Sequence, residues 1–178
     1  MRNPATHTIG RPCSGWLALI AVSLGASSTT LAAQHGSHGS VCTARPGDQD
    51  KVDFSTDRGA YNTSTTSSAR IYCSLDAETE QSAQDFVRRL DVAYINNSSA
   101  GDISCTLYLQ DILGATVFSV PLKSSGTSTA VRRLTWKGLE PTTNIQYYWA
   151  HLSCLLPPKG SSGPEPQIRG FVWLYNRP

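Results

Sequence analysis

The chain predicts an all-β protein, an antiparallel β-sandwich or jelly roll of about eight strands. Three observations carry that prediction. Short apolar-alternating runs recur between turn residues, helical periodicity is nearly absent, and four cysteines sit at wide spacing after a removable leader. Charged residues are 16% of the 178, and hydrophobic residues 39%, which excludes a disordered or highly charged chain.

The first 33 residues read as a secretory signal. Arg2 and Arg11 supply positive charge, an apolar run spans residues 16–26, and small residues lead to Leu31-Ala32-Ala33, with cleavage after Ala32 or Ala33. The run is too short to span a bilayer. The mature chain of 145 residues suits one domain. Arg2 and Arg11 are the excess in the formal charge of +2, so the mature chain is neutral. Neutrality argues against nucleic acid as a partner, and the pairs Arg88-Arg89 and Arg132-Arg133 read as solvated strand positions. The expected location is secreted or periplasmic.

Residues 34–50 are small and polar and predict a flexible arm ahead of a sandwich domain over 51–178. Strands are expected over 59–62, 69–75, 87–96, 102–110, 115–121, 130–137, 145–155 and 167–175. Segments rich in Gly, Pro, Asn, Asp and Ser separate them, such as 96–102, 124–128 and 157–164. These residues make turns because Gly allows positive φ, Pro fixes φ, and Asn, Asp and Ser bond nearby backbone. Residues 76–86 hold the one helical candidate, a single turn or a loop.

Alternation assigns faces. Ile103, Cys105, Leu107 and Leu109 share an apolar face, as do Ile71, Cys73 and Leu75. Cys154 has the parity of Ala150 and Leu152. Leu134 and Trp136 are expected inward, with Leu90, Val92 and Tyr94. Cys13 leaves with the leader, and an even number of cysteines in an exported chain implies disulfides. Three pairings are available. Inward Cys105 and Cys154 favour each other, which leaves Cys42 on the arm for Cys73. Each closed loop contributes about 3–4 kcal/mol in the chain-entropy account.

With Cys154 inward, Tyr147, Trp149 and His151 face outward. Ile168, Val172 and Leu174 taken as inward put Phe171, Trp173 and Tyr175 outward as well. The candidate site is therefore an aromatic stripe of Tyr147, Trp149, Trp173 and Tyr175, able to stack on sugar rings. The competing reading buries that face.

Other chemistry finds little support. There is no Gly-x-Ser-x-Gly, His-Glu-x-x-His or phosphate loop. His151 lacks a sequence-placed nucleophile and acid, and Asp76, Glu78 and Glu80 share one loop rather than opposing each other. Asp48, Asp50 and Asp53 lack calcium-loop spacing. His35 would join a copper or nickel site only if Ala33 became the N-terminus, and a polar arm is the plainer reading of His35 and His38. No cofactor or metal is expected. Asn62 and Asn96 begin glycosylation sequons.

Cys42, Gly59-Ala60-Tyr61-Asn62, Ile71-Tyr72-Cys73-Ser74-Leu75, Ser104-Cys105-Thr106-Leu107 and the strand ending Cys154-Leu155-Leu156-Pro157 together resemble a group of small secreted bacterial proteins of unknown function. The likeness covers most of residues 42–176. It implies a disulfide-bonded β-sandwich and no activity. The expected function is an exported, non-catalytic binding module for glycan or a surface protein. The alternatives are a self-associating structural protein and, more remotely, a small hydrolase.

Overall fold

The computed structural model describes residues 33–75, 86–111, 113–137, 139 and 149–176. Among these residues eleven strands run in chain order: β1 (Ala33–His38), β2 (Thr43–Ala44), β3 (Val52–Ser55), β4 (Gly59–Asn62), β5 (Ala69–Ser74), β6 (Phe86–Asn96), β7 (Ser104–Gln110), β8 (Thr116–Lys123), β9 (Ser128–Lys137), β10 (Trp149–Leu156) and β11 (Gln167–Asn176). The helical candidate over 76–86 lies outside the described residues except for Phe86, which opens β6.

Two antiparallel sheets form a sandwich. Sheet A has the order β3-β4-β11-β6-β9, with β1 also paired to β11. Sheet B has the order β2-β5-β10-β7-β8. From β4 to β11 the chain crosses between the sheets at every connection except the β7–β8 hairpin, which stays in sheet B, the sandwich wiring of a jelly roll. β4 pairs with Gln167 and Ile168, and β1 pairs with Gly170 to Tyr175, so β1 continues the edge of β11 where β4 stops.

That pairing corrects one expectation. Residues 34–50 do not form an arm outside the sandwich. They supply β1 to sheet A and β2 to sheet B, joined by a 3-10 turn at Gly39–Val41. The polar composition hid them because edge strands need few apolar side chains. Glycine is required where this segment crosses β11: a Cβ at Gly39, or at Gly59 with φ of 83°, would collide with the Ile168 carbonyl oxygen.

The core follows from alternation. From sheet B come Ile71, Cys73, Cys105, Leu107, Leu152, Cys154 and Leu156, all fully buried. Sheet A answers with Leu90, Val92, Tyr94, Leu134, Trp136 and Ile168. Trp136 also closes the sandwich edge, its Nε1 donating to the Val120 carbonyl of β8 at 3.0 Å. Cys105 and Cys154 face each other directly across β7 and β10 and are disulfide-bonded. Cys42 and Cys73 form the second disulfide, which pins the segment before β2 to β5. Two disulfides suit an oxidising compartment. Among the described residues no helix is long and apolar enough to cross a membrane.

Two buried asparagines close the turns. The Asn62 side chain is fully buried, its Nδ2 donating to the carbonyls of Ser67, Leu156 and Pro157 while its Oδ1 accepts from the Ser64 N–H. Asn96 does the same for Gly101, Ser124 and Ser98. The side-chain amides of Asn62 and Asn96 are therefore spent inside the fold, where no glycan has room.

Candidate functional site

The site begins with the register of β10. Its pairing to β5 and to β7 runs without a slip from Trp149 to Leu156. Strict alternation therefore holds from Cys154, fully buried, back to Trp149. Trp149 emerges on the outer surface of sheet B, 57% exposed. Its ring offers a large apolar face to solvent on that surface.

Neighbouring strands extend the face. His151 stands opposite Tyr108 on β7 and Ser74 on β5, and its imidazole stacks on the Tyr108 ring at 4.9 Å between centroids and 12° between planes. Burial against the sheet pushes the His151 pKa below its usual value, so the ring is neutral at pH 7. One row further, Ser153 lies between Tyr72 and Thr106. The Arg70 guanidinium reaches across and donates from Nη1 to Ser153 Oγ at 3.0 Å. Gln110 stands opposite Trp149. The result is a flat surface of aromatic rings bordered by hydroxyl, amide and guanidinium donors, about 13 Å from the Trp149 row to the Ser153 row.

The four aromatic residues expected as one stripe are not one surface. Trp149 lies on sheet B as expected. Trp173 lies on sheet A, 2% exposed, stacked on Phe171 at 5.6 Å. The reason is a β-bulge. Ile168 pairs with Tyr94 and Gly170 with Ala93, so Arg169 is an extra residue opposite β6. The inserted residue reverses the alternation, turning Phe171 and Trp173 inward and leaving Val172 and Leu174 half-buried on the other side. Tyr175 is on β11, in the sheet that lacks Trp149, and its side chain lies outside the described residues. Tyr147 lies outside them too. What sequence reading missed is the set Arg70, Tyr72 and Tyr108. Each has outward parity beside Cys73 or Cys105, but only strand order brings them next to β10.

Acid–base and metal readings find no geometry among the described residues. His151 meets a ring and has no carboxylate partner. Asp76, Glu78 and Glu80 lie outside the described residues. Asp48 is buried, held by Lys51 at 2.8 Å and Arg45 at 3.3 Å, and the Lys51 hydrogen bond keeps its carboxyl below the usual range. Asp53 accepts from Tyr61 Oη at 2.7 Å, which lowers the carboxyl pKa and raises that of the phenol. Among the described residues, no group of three or more His, Cys, Asp and Glu is placed to hold a metal ion. β1 puts Ala33 to His35 in an extended ladder with Trp173 to Tyr175, a backbone that does not wrap a cation.

No protein family matches the chain, and no curated protein matches it. Among solved structures it is similar to a structure of infectious bursal disease virus, strain Gx, at 9% identity and a TM-score of 0.45, covering 83% of this chain and 32% of that one. It is also similar to a family 35 carbohydrate-binding module from Cellvibrio japonicus, at 14% identity and a TM-score of 0.40, covering 79% and 92%. A family 35 module from Clostridium thermocellum gives 11% identity and a TM-score of 0.33, covering 78% and 98%. The chain thus spans about a third of the viral protein's length. At TM-scores below 0.5 these likenesses assign neither kinship nor function to it.

Proposed function

We propose that this protein is an exported, non-catalytic glycan-binding module whose ligand lies on the outer face of sheet B. The single observation that carries the reading is the exposed Trp149 beside the stacked Tyr108–His151 pair. Sugar rings present C–H faces that pack on aromatic rings, and their hydroxyls need donors and acceptors nearby. Here Gln110, Ser74 and Thr106 border the rings on β7 and β5. The sheet is rigid on its inner side, because the Cys105–Cys154 bond and a dry core lie directly beneath it. A rigid platform binds with little ordering cost. The leader-like N-terminus and the two disulfides support export.

The test is affinity electrophoresis and calorimetry against soluble neutral and acidic polysaccharides. Binding by the wild type, reduced at least tenfold in Trp149→Ala while the melting temperature holds, is the expected result. No binding to any polysaccharide, or equal binding by Trp149→Ala, would remove the reading. A concentration-dependent dimer that dissociates in Trp149→Ala would reassign the face to self-association.

A further inference from the structure

Among the described residues, the outer face of sheet B carries cations without matching carboxylates. Its outward positions on β5, β10, β7 and β8 include Arg70 and Lys123 but no Asp or Glu. The described acids that flank these strands are occupied elsewhere. Asp48 accepts from the Arg70 backbone N–H at 3.1 Å, and its carboxylate is paired with Lys51 and Arg45. Asp102 accepts from Ser124 Oγ, and Asp111 from the N–H groups of Leu113 and Ala115, both at strand ends. Among the described residues the half-buried Arg70 guanidinium makes one side-chain hydrogen bond, to Ser153, and no ion pair.

A guanidinium has five N–H donors in a planar fork that matches a carboxylate or a sulfate. Ser153 uses one and fixes the fork against the sheet, leaving donors for an anion on the solvent side. A partly desolvated cation with no internal counter-charge gains more from an external anion than a fully solvated one. We infer that the ligand of this face is an acidic polysaccharide, with a uronate carboxylate on Arg70 and a sugar ring on Trp149. This rests on the glycan reading above. The span from the Trp149 row to the Ser153 row, about 13 Å along β10, sets a minimum of roughly three linked sugars between the two anchors.

The experiment compares acidic polymers (polygalacturonate, alginate and hyaluronan) with their own methyl-esterified forms, which keep the ring and lose the charge. The expected result is at least tenfold tighter binding of one or more acid forms than of the matching ester, weakening steeply between low and high salt. Arg70→Gln should abolish that preference while ester binding persists, and Arg70→Lys should restore part of it. Salt dependence of the wild type stands independently should Arg70→Gln fold poorly. Equal affinity for acid and ester forms overturns the inference and leaves a neutral-glycan module. Failure to bind acidic, esterified or neutral polymers overturns the glycan reading itself.

Discussion

Ile168 and Phe171 stand three residues apart on one strand, and both side chains enter the core. Regular alternation forbids this, and the unpaired Arg169 between them permits it. The bulge turns Trp173 into the core, where Trp136 also lies, whereas Trp149 on the unbroken β10 faces outward.

Replacing each indole should therefore give opposite results. Trp173→Ala removes a side chain that is 2% exposed and should cost about 3–5 kcal/mol. Trp149→Ala should change stability by no more than about 0.5 kcal/mol. Guanidinium unfolding of both variants checks this. Comparable losses would place both rings in the core.

Stability should fall as pH drops through about 6.5, the value of a solvated histidine. Burial holds the folded-state pKa of His151 below that value, so the unfolded chain binds the proton first. Stability then rises with pH across the window between the two values and is flat above it. The lowered carboxyls of Asp48, Asp91 and Glu165 act only below their ordinary values of 3.8, 3.8 and 4.5, so they do not overlap above pH 5. Melting curves from pH 7.5 to 5 should show the slope in the wild type and its absence in His151→Gln. An identical slope in the variant would assign it to another group.

Asn62→Ala should cost about 3 kcal/mol or more, because it strips the donor from buried carbonyls of Leu156 and Pro157. Urea titration measures it. In a glycosylating host, glycopeptide mapping should show no sugar at Asn62 or Asn96, and occupancy at either would contradict their burial.

Each paired replacement, Cys42→Ala with Cys73→Ala or Cys105→Ala with Cys154→Ala, should lose about 4 kcal/mol in the chain-entropy account. The separations are 31 and 49 residues, too similar to rank the two bonds by loop length alone. They differ in what they hold. Without Cys42–Cys73, limited proteolysis should cut first within residues 36–47, since β2 has only two residues paired to β5. Equal protection in both double variants would show that β1 alone retains the segment.

Much of this arrangement was legible in the sequence. Turn residues delimited the central strands, and the face shared by Ile103, Cys105, Leu107 and Leu109 gave both the core direction and the cysteine partners. The same argument placed Trp149 outward because β10 has no irregularity between it and Cys154. It failed for Trp173, since one inserted residue reverses every later position. Gly170 was the available signal, because a glycine inside a strand often accompanies a bulge. β1 and β3 escaped notice since sheet edges can be polar. The union of Tyr72, Tyr108 and Arg70 with Trp149 depended on strand order, which pairs residues far apart in the chain.

The most direct measurement is an NMR titration of protein with labelled indole nitrogens by a binding polysaccharide fragment. Residues 34–178 hold three indoles: Trp136, Trp149 and Trp173. The Trp149 indole should shift, together with the His151 ring, while Trp136 and Trp173 stay fixed. Saturable binding that leaves Trp149 unmoved would contradict the assignment of the ligand to the outer face of sheet B.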